Sequence, residues 1–98
     1  MNQMLSNPGM LDTLVILQRG EITEHEIYTR IAKVTGDLHN REVLERIANE
    51  EYEHSLIWKK YTERDVSPDP VRVWYYYLLA RVHRSLSESG TIRLIRTL

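Results

Sequence analysis

Residues 11–64, LDTLVILQRGEITEHEIYTRIAKVTGDLHNREVLERIANEEYEHSLIWKKYTER, decide the fold. In the first half, Leu14, Leu17, Glu21, Glu24, Tyr28 and Ile31 recur at spacings of 3, 4, 3, 4 and 3, which is one face of a helix. In the second half, Leu44, Ile47, Glu51, His54, Trp58 and Tyr61 repeat the same spacings. Gly36 falls between the halves, a natural residue just past a helix end, with Lys33 in the preceding turn. Gly20 weakens the first helix by about 1 kcal/mol without ending it. Asn40 suits the N-cap of the second helix, Glu42 its first turn, and the pattern runs to about Arg64. So short a connection predicts an antiparallel hairpin.

Outward from this stretch, Pro8 and Gly9 precede the first helix, and Ser67, Pro68, Asp69 and Pro70 form the clearest break. Pro70 suits the first position of a third helix covering Val71 to about Glu88, with Val73, Trp74, Tyr77, Leu78 and Val82 as its apolar side. Ser89 and Gly90 mark a weaker break before a tail, Thr91 to Leu98. The expected organisation is one all-α domain over 1–98: hairpin about 8–64, linker 65–70, C-terminal helix about 71–88, tail 89–98. A chain of 98 residues has a thin core. Helices of roughly 35–40 Å, at ~1.5 Å per residue, outreach so small a globule, so the hairpin is expected to lie against another copy.

Composition removes several classes. The formal net charge of -1 gives no general attraction for nucleic acid or an acidic membrane. The lack of cysteine excludes disulfides, iron–sulfur clusters, cysteine-held zinc and thiol catalysis. No run reaches the ~20 apolar residues of a membrane span, and the first residues lack a basic-then-apolar signal layout, so a cytoplasmic protein is expected.

Both stripes are interrupted at mid-length by groups that oppose burial. An unpaired buried carboxylate costs several kcal/mol, so Glu21, Glu24 and Glu51 at core-type positions must be neutralised, paired or metal-bound. Glu21 stands fifteen residues before Gly36 and Glu51 fifteen after it, so the two are level across the hairpin. Glu51 and His54 share a helical face one turn apart. One Glu facing a Glu-x-x-His is half of a carboxylate di-iron ligand set, which needs two of each on four helices. A two-fold dimer supplies the missing half and completes a four-helix bundle. Carboxylate and imidazole donors suit iron, manganese or zinc. Iron is favoured because carboxylates tolerate both of its oxidation states.

On Glu21, Tyr28 seven residues later and Glu51-x-x-His54, residues 11–64 resemble the rubrerythrin-like branch of the ferritin superfamily. The thirty-residue step from Glu21 to Glu51 in so short a chain looks most like the encapsulated ferritins. Those are half-length ferritins whose di-iron ferroxidase site forms between subunits and which often assemble into rings. The resemblance implies a catalytic and metal-binding set of Glu21, Glu51 and His54, with Glu24 as a further candidate ligand and Tyr28 beside it in support. It implies oxidation of Fe(II) to Fe(III), iron storage or detoxification, and an encapsulin shell as a partner, the protein then lying within an encapsulin nanocompartment. The hairpin also looks like the rubrerythrin-like domain attached to some membrane iron transporters. Unlike rubrerythrins, the chain has no rubredoxin cysteines, so a peroxidase would need an outside electron source.

Each residue also has a plainer reading. Glu51 and His54 can be a surface ion pair, Glu24 the partner of a lysine or arginine, and Tyr28 plain core. Trp58 and Tyr61 read as packing, Glu50 as solvated surface, and His25, His39 and His83 as surface or interface residues. The rival functions are a di-iron or di-manganese peroxidase or oxidase and a non-enzymatic helical oligomerisation module.

Overall fold

The computed structural model describes residues 7–84, which form three helices and, among the described residues, no strand. Helix α1 spans Pro8–Val34 and begins where Asn7 caps it, its side-chain oxygen accepting from the backbone N–H of Gly9 at 2.9 Å and of Met10 at 3.4 Å. It ends at Thr35, which is extended (φ -83°, ψ 123°) and whose hydroxyl donates to the Ile31 carbonyl at 2.8 Å. The Arg41 guanidinium crosses the turn to the Thr35 carbonyl at 3.0 and 3.2 Å. Gly36 follows the cap as expected, but no described glycine has a positive φ, so the turn makes no use of its left-handed freedom.

Helix α2 spans Leu38–Thr62. Its N-cap is Asp37 and not Asn40: the Asp37 carboxylate accepts from the N–H of His39 at 2.8 Å and of Asn40 at 3.4 Å, so Asn40 already lies in the first turn. The connection is therefore only residues 35–37, and the hairpin is antiparallel. The helix stops at Thr62, two residues before Arg64, because Glu63 turns left-handed (φ 54°, ψ 31°) and its N–H bonds the Lys59 carbonyl at 2.9 Å.

Buried polar groups fasten the linker to α1. Thr62 donates to the Gln18 side-chain oxygen at 2.6 Å, and the Gln18 amide donates to the Arg64 carbonyl at 2.8 Å. Further on, the Asp69 N–H donates to the Thr23 hydroxyl at 2.9 Å. Gln18, Thr23 and Thr62 are thus buried with their polar atoms satisfied. Helix α3, Pro70–Arg84, begins at the predicted Pro70, capped by the Asp69 carboxylate on the N–H of Val71 at 3.0 Å. Residues 85–88 of the predicted helix, the Ser89–Gly90 break and the tail lie outside the described residues.

Both α2 and α3 pack on α1. The core is Ile27, Ile31, Ala32, Leu44, Val73 and Ala80, with Tyr28 and Tyr76 against it. Two expected faces need correction. On α3, Val73 and Ala80 face inward, while Trp74, Leu78 and Val82 of the predicted apolar side are more than half exposed. The Thr23–Asp69 bond fixes where α3 leaves the linker, and from that start Val73 turns toward the core. On α2, the buried line is Leu44, Ala48, Ser55 and Thr62: it shares Leu44 with the predicted stripe and then runs beside it, leaving Ile47, Glu51, Trp58 and Tyr61 half-buried. Small residues on that line let α1 and α2 approach. The stripe that carries Glu51 and His54 is left along an open flank, where Leu17 of α1 is 43% exposed.

Candidate metal centre

Three side chains meet on that flank. Glu21 comes from the middle of α1, and Glu51 and His54 come from successive turns of α2. Each offers one ligand atom, and these atoms all lie within 4.8 Å of one another. The His54 Nδ1 is 3.7 Å from a Glu21 carboxylate oxygen and 3.9 Å from one of Glu51. Equal distances along the chain from the turn bring Glu21 and Glu51 level, and the i,i+3 step brings His54 onto the same side. Exposure is graded: the side chain of Glu51 is 18% exposed, that of Glu21 25% and that of His54 53%. The carboxylates are therefore sheltered by the hairpin, while the imidazole stands at its solvent edge.

The electrostatics match this crowding. Burial is the main cause that raises Glu51 from an ordinary 4.5 to about 9. Hydrogen bonding with Glu21 and Glu24 and the negative charge of both make up the rest of that rise. Glu51 therefore holds a proton at neutral pH. Glu24, one turn beyond Glu21 on α1, thus belongs to the neighbourhood of Glu51, although its oxygens are outside the three-residue group. Among the described residues, the ion pairs of Glu21 and Glu51 are with His54, and neither carboxylate meets an arginine or lysine.

No family model, no curated protein and no solved structure matches the chain. The case for the site rests on the residues themselves.

The remaining residues divide plainly. Tyr28 is half-buried against the core, and Trp58 and Tyr61 are half-buried along α2. Glu50 and His39 are exposed, and His83 is half-buried. His25 is more than a surface residue: its Nδ1–H donates to the Ala48 carbonyl at 2.8 Å, and its ring lies 5.2 Å from that of Tyr52. This bond crosses the hairpin one turn from Glu51. The acceptor is a backbone carbonyl, so the sequence carries no signal for it.

Proposed function

We propose that the chain is a ferroxidase that oxidises Fe(II) to Fe(III) at a di-iron carboxylate site shared by two copies, for iron storage or detoxification. The observation that carries this is the half-set itself: Glu21, Glu51 and His54 converge within 4.8 Å on an open flank of the hairpin. Donor atoms of a first-row divalent ion such as zinc lie about 2.0–2.2 Å from it, so a 4.8 Å spread closes with small side-chain adjustments. Two carboxylates and an imidazole suit iron, manganese or zinc. The resemblance to encapsulated ferritins extends the proposal to a ring-like homo-oligomer within an encapsulin shell.

Bound there, a pair of Fe(II) ions supplies two electrons to dioxygen, which with two protons leaves as hydrogen peroxide. The protein's part is to hold and to neutralise. Glu21 and Glu51 of both copies provide four carboxylates against the charge of two divalent ions. Glu51 must first release its proton, so binding releases acid and weakens as the pH falls. The half-exposed His54 gives the site an edge open to solvent, by which ions enter.

Metal analysis of protein purified without chelator, followed by Fe(II) oxidation under oxygen, tests the reading. The parent chain binds iron and oxidises it, while Glu51→Ala and Glu21→Gln lose most of that activity. Native mass spectrometry with Fe(II) shows the ions in a dimer. A monomer holding both irons, or variants that oxidise iron at the parent rate, refutes the shared centre.

A further inference from the structure

Helix α3 has a second apolar face, exposed among the described residues. Val71 is 75% exposed, Trp74 54%, Tyr75 57% and Leu78 54%, on the side opposite Val73 and Ala80. Val71, Tyr75 and Leu78 follow steps of 4 and 3, the spacing of a helix–helix seam. Trp74 borders two clefts between α3 and its surroundings, one of about 360 Å³ with Arg30, Lys33 and Tyr77, the other of about 220 Å³ with Pro68 and Pro70. A row of exposed apolar groups beside concave clefts is the form of a site that receives another helix.

The rim of this face is basic. Residues 70–84 contain no Asp or Glu. Arg72 lies 5.9 Å from the Tyr76 ring centre, Arg81 5.9 Å from that of Tyr77, and Arg30 of α1 5.8 Å from that of Trp74. Stacking on the rings holds these guanidinium groups in place, and each keeps several N–H donors for a carboxylate. Nearby acids are already engaged: Glu26 pairs with Arg30 at 3.3 Å, and Asp69 caps α3.

We propose that this face of α3 docks an amphipathic helix of a partner protein, one with an aliphatic seam and acidic flanks. Charge complementarity selects that occupant. Two copies of α3 packed antiparallel on this seam would set Arg72 against Arg81. On α2, the exposed Glu42, Glu45, Glu50 and Glu53 precede the exposed Leu56 and Ile57, which stand beside Lys59 and Lys60, so acids and aliphatic groups do not line one seam. The chain's own residues 85–98 set Arg93 and Arg96 against a lone Glu88. A flat lipid surface has no use for the clefts beside Trp74.

The test titrates the full chain with two fluorescein-labelled helical peptides, both with a leucine seam, one flanked by glutamate and the other by lysine. The glutamate peptide binds, and binding weakens as NaCl is raised. Leu78→Glu, which removes a seam contact from an exposed position, weakens it by on the order of 30-fold while far-UV circular dichroism is unchanged. The double change Arg72→Glu, Arg81→Glu moves the preference to the lysine peptide. Equal affinity for both peptides, or none for either, overturns the proposal. So does self-association of the parent that Leu78→Glu abolishes and the glutamate peptide does not compete with, which gives the face to a second copy. Binding to phosphatidylserine vesicles that Leu78→Glu abolishes, with no peptide bound, gives it to a membrane and likewise overturns the proposal.

Discussion

Near the turn of the hairpin, Ile31 and Leu44 lie in the core with no exposed surface. At mid-length, on the same two stripes, stand Glu21, Glu24, Glu51 and His54, and there the burial is partial. The difference lies in what covers each region. At the turn end, Val73 and Ala80 of α3 join the core from a third side. At mid-length, the two long helices shelter the carboxylates only from within, and burial then holds the Glu51 proton on. One pair of helices thus carries a finished apolar core and an unfinished polar one. The first is closed by three helices of this chain, and the second is open on one side.

The largest expected effect belongs to the finished end. Leu44→Ala removes a fully buried side chain from among Ile31, Ala32 and Val73, and a loss of about 2–5 kcal/mol in urea unfolding is expected. Glu51→Ala, at the unfinished region, should not approach that loss in metal-free protein. Equal losses from the two changes would break the contrast.

The next effect separates the regions by metal. His54→Ala leaves the half-exposed edge of the cluster to water, so helicity should hold while Fe(II) affinity falls by at least about tenfold, measured by anaerobic titration. Leu44→Ala protein that remains folded should keep the parent's affinity. If His54→Ala binds Fe(II) as the parent does, the imidazole belongs to a surface ion pair and the cluster loses its third donor.

A pH-dependent effect follows from the proton on Glu51. Its folded pKa of about 9 exceeds the ordinary 4.5. Between those values the folded chain holds a proton that the unfolded chain has released. This contribution to stability is full below pH 4.5 and is lost as the pH rises toward 9. The melting temperature of metal-free protein should therefore fall across this window, and Glu51→Gln, which cannot ionise, should flatten the fall. Glu21→Gln removes one of the facing charges and should stabilise the metal-free protein near neutral pH while it cripples iron oxidation. A structural ion pair gives the opposite result, a less stable variant that oxidises iron at the parent rate.

Much of this was legible from spacing. The two interrupted stripes and equal arms about Gly36 predict a hairpin with Glu21 level with Glu51, and Pro70 marks the start of α3. What spacing alone does not carry is rotation. Leu44, Ile47 and Glu51 recur as one stripe on α2, yet after Leu44 the seam runs through Ala48 and Ser55, because small side chains decide how closely two helices approach. On α3, apolar residues occupy both sides, and the inward one was fixed by the linker's bond to Thr23, 46 residues away in sequence. The cap of α2 moved to Asp37 for a local reason: two residues with capping side chains stand three apart, and the first to reach free N–H groups ends the turn. Partners of His25 were illegible because its acceptor is a backbone carbonyl, which has no residue-type signature.

That hydrogen bond gives the last and smallest effect. His25 bonds the Ala48 carbonyl at 2.8 Å across the hairpin, one turn from Glu51, and its ring lies tilted against that of Tyr52. His25→Phe keeps an aromatic ring beside Tyr52 but removes the donor. The Ala48 carbonyl lies within α2 and keeps its place in the backbone ladder, so no buried acceptor is orphaned. The loss should then be that of one intramolecular hydrogen bond, about 1 kcal/mol in urea unfolding, with an unchanged dependence on denaturant. Such a value places the polar middle of the hairpin as a weak fastening beside the apolar turn end. A loss as large as that of Leu44→Ala would reverse the comparison and make this cross-hairpin bond, and not the core at the turn, the main tie between the two long helices.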